Sequence, residues 1–239
     1  LTSTAASHQR TFVVEVMGRH CGYLPLMAAV AGGADYVFTP EDPAGPGWQD
    51  DLAEHLRLGR EAGRRESIVL VAEGAHDRDG NELSTQLIAD TIQERTGEDA
   101  RVTILGHVQR GGTPSAYDRW MSTLLGYAAV QEILASTAED EPVILGVRRN
   151  RITRVPLMKA VHDTRAVKDL IAAGDYAAAQ ASRGSSFSSM VGINQILSTP
   201  PQLTPEPTGE SQRVAILHAG GLAPGMNTAA RVAVRLGIA

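Results

Sequence analysis

Short β-branched runs alternate with stretches in which apolar positions recur every three or four residues. That alternation predicts an α/β protein with a largely parallel sheet. Thr11-Phe12-Val13-Val14-Glu15-Val16 reads as a strand, followed by a small-residue helix from Gly22 to Gly32 packed closely on it. Tyr36-Val37-Phe38 is a second strand, stopped by Pro40, and Pro43, Gly45, Pro46 and Gly47 form a loop. Leu52, Leu56 and Ala62 then fall on one helical face with charges opposite. Ile68-Val69-Leu70-Val71-Ala72 is a nearly continuous apolar run, the mark of a strand covered on both faces. Residues 83–96 return to helical spacing through Leu83, Leu87 and Ile88, and Val102 to Leu105 is the next strand.

Beyond the glycines at 111 and 112 the pattern predicts a long helix, Ala116 to Ala135, with Leu124, Leu125, Ala128, Ala129 and Ile133 on one face. Pro142 to Val147 and Ile152 to Leu157 read as strands joined by a solvated turn, Arg148-Arg149-Asn150-Arg151, and residues 159–173 and 176–183 as helices. From Ser198 to Gln212 four prolines sit among Thr, Glu, Gly and Ser, the composition of an extended linker. Arg213 to His218 then reads as a fresh strand running into a glycine-rich turn and a helix start, with Gly220, Gly221, Gly225 and Asn227 as its phosphate-contacting positions. A strand, a glycine turn and a helix N-terminus can cradle phosphate through backbone N–H groups and the helix dipole.

The 239 residues suffice for one large domain or two small ones. Lys and Arg number 22 against 27 Asp and Glu, with no basic block, which argues against nucleic-acid or membrane-surface partners. The single cysteine, Cys21, excludes an internal disulfide and a cysteine metal cage, so a cytoplasmic location is expected. No apolar run approaches the ~20 residues that span a bilayer. His8, His20, His76 and His162 show no metal-ligand spacing, and no metal site is expected in this chain. The first residue is Leu1, and the chain stops within a glycine motif; it reads as a piece of something longer.

The densest chemistry lies in Gly106-His107-Val108-Gln109-Arg110-Gly111-Gly112-Thr113-Pro114-Ser115. An arginine fork fits phosphate oxygens and glycines let the backbone approach, so this turn reads as an anion site, or otherwise as a solvated strand end with His107 bonded to backbone. By the same reasoning Met17 reads as a core side chain, Glu73 as a strand-end carboxylate or a ligand contact, and Glu15 carries no assigned role.

Three blocks, Ser7-His8-Gln9-Arg10 through Met17-Gly18-Arg19-His20-Cys21-Gly22, Val71-Ala72-Glu73-Gly74, and Arg101 through Pro114, closely resemble the ATP-dependent 6-phosphofructokinases in order, type and spacing. The resemblance continues through Pro156-Leu157-Met158 and Arg183-Gly184-Ser185-Ser186-Phe187. The arrangement of one half, a linker and a second glycine loop is similar to the double-length, fused members of that family.

The resemblance implies three-layer parallel-sheet lobes, incomplete at both ends. Residues 1–109 would be the sugar-phosphate lobe, 110–150 part of the nucleotide lobe, 151–197 a return to the substrate lobe, 198–212 the linker and 213–239 the start of a second half. It implies that His107 and Arg110 bind the 6-phosphate of fructose 6-phosphate, and that Arg10 and Arg101 reach that phosphate across a subunit or half-to-half interface. Glu73 would accept hydrogen bonds from sugar hydroxyls, Met17 and Gly18 would line the sugar, and Arg19 would stabilise charge on the phosphoryl group in flight. Gly33 and Asp35 match positions that touch an allosteric nucleotide in bacterial members.

ATP and Mg²⁺ are implied as cofactors, and a homo-oligomer or fused pseudo-dimer as the assembly. The family's catalytic aspartate belongs to a motif upstream of these residues, so this chain alone is expected not to turn over. Residues 110–150 are expected to expose apolar surface. Two other readings stand beside this one: a pyrophosphate-dependent phosphofructokinase, and a non-catalytic half that senses a sugar phosphate.

Overall fold

Val13, Val14, Val69, Leu70 and Val71 are buried on alternating sides of one sheet, and that two-sided burial organises the fold. In the computed structural model, which describes residues 2–148, 150–200, 213–221 and 223–237, the chain divides into two compact units. These are Leu1–Gly106 with Arg183–Ala239, and His107–Ser182.

In the first unit β1 (Thr11–Val16), β2 (Tyr36–Phe38), β3 (Ser67–Ala72) and β4 (Ala100–Ile104) form a parallel sheet in the order β2-β3-β1-β4. The apolar run at Ile68–Ala72 thus occupies an inner position, as its pattern predicts. Thr11 to Val16 of β1 lie level with Ser67 to Ala72 of β3, and Phe12 lies level with Arg101 of β4.

The helices of this unit are α1 (Thr2–His8), α2 (Tyr23–Gly32), α3 (Trp48–Glu61) and α4 (Thr85–Thr96). Val13, Val69 and Val71 pack against Trp48, Leu52 and Leu56 of α3 and Ile88 and Ile92 of α4. Val14, Val16 and Leu70 pack with Ala29 of α2 and with Ala34. The result is a three-layer α/β core. Leu52, Leu56, Ile88 and Ile92 are essentially fully buried, each contributing about 2 kcal/mol of hydrophobic stabilisation. The Ser84 hydroxyl caps α4, accepting from the Leu87 N–H at 3.1 Å.

The second unit holds α5 (Ala116–Ala135), the antiparallel hairpin of β5 (Val143–Arg148) and β6 (Arg151–Pro156), α6 (Leu157–Ala172) and α7 (Tyr176–Ser182). A capping box between Ser115 and Asp118 starts α5. Only Met121 of α5 is buried, while Tyr127, Val130, Ile133 and Leu134 are each more than half exposed. This is the apolar surface expected of residues 110–150.

Back in the first unit, α8 (Ser185–Ser198) packs on α2, and α9 (Met226–Gly237) packs on α8. Phe187, fully buried, stacks on Tyr23 with ring centroids 6.4 Å apart. Arg235 donates to the Ile196 carbonyl at 2.8 Å and to the Thr199 carbonyl, tying the last helix to the C-terminus of α8.

Several expectations change. Residues 213–218 form no strand: they pair with none of the described strands, and an unpaired segment is not a strand whatever its composition. Of the expected linker, residues 201–212 lie outside the described residues, as does Arg149 of the hairpin turn. The two compact units divide after Gly106 and before Arg183. Residues 151–182 pack with residues 107–148 because the hairpin contacts both α5 and α6. The helices α1 and α8 had no counterpart in the predicted elements.

Candidate functional site

The loop between β1 and α2 carries Met17, Gly18 and Arg19 and is fixed at both ends by carboxylates. Glu73, the first residue after β3, accepts through Oε2 from the Gly18 N–H at 3.1 Å and the Arg19 N–H at 2.9 Å. Its own N–H donates to the Val16 carbonyl at 2.9 Å, and Cys21 closes a turn onto the Gly18 carbonyl at 3.0 Å. Those two N–H bonds, Arg19 first, hold the Glu73 carboxyl below its ordinary value of 4.5, so it is ionised at neutral pH. Among the described residues Oε1 of Glu73 accepts no hydrogen bond, which leaves it able to receive ligand hydroxyls.

Arg19 has φ +52°, a left-handed conformation that costs a non-glycine residue roughly 1–2 kcal/mol and persists because its neighbours over-determine it. Gly74, at φ +77°, lies so close beneath that a Cβ there would sit 2.8 Å from the Arg19 carbonyl oxygen. The Arg19 side chain is exposed and Met17 is half-buried. Glu15, on β1, has its carboxyl pushed up by burial and by the nearby charges of Glu73 and Glu82.

The far end of the loop is held by residues the sequence reading did not assign. The Gly22 N–H donates to both oxygens of Glu41, at 3.1 and 2.9 Å. Glu41 is fully buried and receives Arg183 Nε at 2.7 Å. Arg183 Nη2 also donates to the His20 carbonyl at 2.7 Å. A Cβ on Gly22 would lie 2.5 Å from Thr39 Cβ and 2.6 Å from Glu41 Oε2, so only glycine fits. The one sequence signal was the block Arg183-Gly184-Ser185-Ser186-Phe187, which pointed to the family and to no role.

Arg10 and Arg101 are brought together. Both pair with Oδ2 of Asp99, at 3.3 and 2.9 Å, with side chains 39% and 53% exposed. Pairs this exposed add little stability; Asp99 orients the two guanidiniums. They sit at the opposite end of the sheet from Glu73. Arg101 is level with Phe12, whereas Glu73 follows Ala72, which is level with Val16. Four strand residues separate those levels, about 13 Å along the strands. His107 and Arg110 lie on a 3-10 turn, Gly106–Arg110, at the start of the second unit, and both are exposed.

The C-terminal glycine motif opens a helix without a preceding strand. Gly220 and Gly225 have φ +101° and +93°, and α9 begins at Met226 with Asn227 in its first turn, but no strand leads in. Among the described residues no group of three or more His, Cys, Asp or Glu could hold a metal. A cavity of about 400 Å³ opens beside β2, lined in part by Asp35, Tyr36, His55, Arg78 and Asn194; of the positions singled out in the sequence, Asp35 borders it.

Fold and site define an α/β domain that presents a carboxylate and a guanidinium at the carboxyl ends of a parallel sheet, the end at which such folds bind ligands. The phosphofructokinase family profile matches residues 1–133. The chain is 45% identical over 234 residues to an ATP-dependent 6-phosphofructokinase of Aspergillus fumigatus, covering 97% of this chain and 29% of that protein. It is also 45% identical over 238 residues to the liver-type ATP-dependent 6-phosphofructokinase of Bos taurus, covering 100% of this chain and 30% of that protein. The phosphofructokinase structure from Saccharomyces cerevisiae superposes with a TM-score of 0.78 at 44% identity, covering 82% of this chain and 26% of that one. The chain belongs to the phosphofructokinase family. It spans about 30% of the length of the curated relatives it matches.

Proposed function

We propose that the protein carrying this chain transfers a phosphoryl group from ATP to the 1-hydroxyl of fructose 6-phosphate, giving ADP and fructose 1,6-bisphosphate in glycolysis, and that this chain supplies fructose 6-phosphate half-sites. The carrying observation is the ionised Glu73 carboxylate, which fixes the Gly18-Arg19 turn with one oxygen and has the other available. In this reading that oxygen accepts sugar hydroxyls, Met17 and Gly18 line the sugar, and His107 and Arg110 bind the 6-phosphate. Arg19 faces the phosphoryl group in flight, where a guanidinium stabilises the charge that spreads over its oxygens.

Arg10 and Arg101 lie at the far end of the strands from Glu73 and are turned onto Asp99. In keeping with this position, and with the resemblance, we assign them to the 6-phosphate of a different site, contributed by a second copy or a second half, in an oligomer or fused pseudo-dimer. Gly220, Gly221, Gly225 and Asn227 cradle nucleotide phosphates in that second half. Magnesium, when bound with ATP, neutralises phosphate charge; no described residue of this chain is assigned to it. Among the described residues no helix is long and apolar enough to cross a membrane. The single cysteine is in keeping with a reducing compartment, and we place the activity in the cytoplasm. ATP as the donor is supported by the names of the relatives.

The test is an assay of the full-length gene product with fructose 6-phosphate and either magnesium-ATP or pyrophosphate. ADP and fructose 1,6-bisphosphate formed in equal amounts is the expected result. Turnover with pyrophosphate alone would replace the donor, and fructose 6-phosphate binding without turnover would leave a sugar-phosphate-sensing domain.

A further inference from the structure

We propose that Glu41 and Arg183 are a positioning pair for the Arg19 loop, acting on the fructose 6-phosphate site proposed above and therefore resting on that assignment. Glu41 is fully buried, yet its two oxygens meet no strand or helix interior: they receive the Gly22 N–H and the Arg183 Nε. Arg183 spends its other recorded bond on the His20 carbonyl. Pair and loop thus form one closed unit, Gly22 N–H to Glu41, Glu41 to Arg183, Arg183 to the His20 carbonyl.

A buried ion pair gains little net stability over apolar packing of similar volume. What this one does is fix the direction of two consecutive backbone groups next to a residue held in a left-handed conformation. Glu73 fixes the same loop from its other end through Gly18 and Arg19. The Arg19 guanidinium leaves the loop between these two anchors, so its direction depends on both.

Gly22 explains why the clamp can close. Any side chain there would strike Thr39 and Glu41 and push the carboxylate off the N–H. Arg183 is also the first residue of the chain after it returns to the first unit, and it makes these contacts before α8 begins at Ser185. Replacing Arg183 leaves Glu41 buried with one N–H partner and strips the donor from the His20 carbonyl. The C-terminal side of the loop loosens, while the strand ends and Glu73 stay in place.

The experiment compares Arg183→Met, Arg183→Lys and Glu41→Gln with wild type in the full-length protein, reading steady-state kinetics and amide hydrogen exchange. Lysine keeps one contact and the charge; glutamine keeps an acceptor for Gly22 and loses the charge. For Arg183→Met we expect kcat about tenfold lower, with the KM values for fructose 6-phosphate and ATP within about twofold, because misplaced positioning groups cost rate more than binding. Exchange at Arg19 to Gly22 should quicken about tenfold while Val69 to Val71 in β3 stays protected. Arg183→Lys should recover part of both effects, and Glu41→Gln should follow Arg183→Met in direction.

A lower melting temperature with kcat and loop exchange unchanged would overturn the proposal and leave a merely structural ion pair. If Arg183→Met does not fold, Arg183→Lys and Glu41→Gln decide by the same two readouts. If the wild-type protein does not phosphorylate fructose 6-phosphate, the functional assignment fails, and unaltered loop exchange would separately sink the positioning role.

Discussion

Replacing Gly74 by alanine should damage the site far more than the same replacement at Gly80, although both glycines have left-handed backbone, φ +77° and +85°. Each substitution places a Cβ in that region, costing roughly 1–2 kcal/mol. At Gly80 nothing lies within 4 Å of the new Cβ, so that is the whole cost. At Gly74 the Cβ would lie 2.8 Å from the Arg19 carbonyl oxygen and 3.0 Å from His20 Nδ1. The first neighbour is backbone and cannot turn aside, so overpacking adds about 1–3 kcal/mol. Relief comes only by lifting the Arg19 carbonyl, which displaces the same residue whose N–H Glu73 holds at 2.9 Å. Gly74→Ala should therefore melt several degrees below Gly80→Ala and raise the KM for fructose 6-phosphate about tenfold, while Gly80→Ala keeps the wild-type KM. Differential scanning fluorimetry with coupled kinetics on both variants reads this out. Equal melting shifts and equal KM values would refute the packing of Gly74 beneath the loop.

Arg10→Ala and Arg101→Ala should each raise the KM for fructose 6-phosphate more than they lower kcat, the split expected of a phosphate contact remote from the reacting atoms. An unchanged KM with a depressed kcat would contradict it. Glu98 is bonded to Arg60 and to the Thr11 hydroxyl, and the Arg60 bond foremost holds its carboxyl below the ordinary 4.5 against the cost of burial. Its contribution is fully present above 4.5 and is lost as pH falls through the lowered folded value. Glu98→Gln should flatten that acid-side loss in a series of melting temperatures across roughly pH 5.5 to 3; an unaltered slope would remove Glu98 from the account.

Elements whose own residue pattern marks them were legible. The α5 helix runs from Ala116 to Ala135 as its spacing predicts, and the β1 and β3 strands follow from their apolar runs. Arg213 to His218 has equally strand-like residues and forms none, because pairing and not composition makes a strand. Glu73, Gly18 and Arg19 were found through the resemblance, and the structure joins them by direct hydrogen bonds. Glu41 escaped notice because a glutamate after Pro40 carries no local sign that it will be fully buried. Its partner is Arg183, 142 positions away, a pairing that only the packing of α8 on α2 brings about. Asp99 was missed for a different reason: it pairs with Arg10, just before β1, and with Arg101 on the adjacent β4, and strand order is not written in either strand.

The most direct measurement is the KM for fructose 6-phosphate and, in parallel, for ATP in Glu73→Gln of the full-length protein. Glutamine keeps one oxygen for the Gly18 and Arg19 amides but loses the anionic acceptor offered to the sugar. The account predicts a rise of about tenfold or more in the fructose 6-phosphate KM, with the ATP value unchanged. Wild-type KM values for both substrates would contradict the placement of the sugar at Glu73, and with it the half-site assigned to this chain.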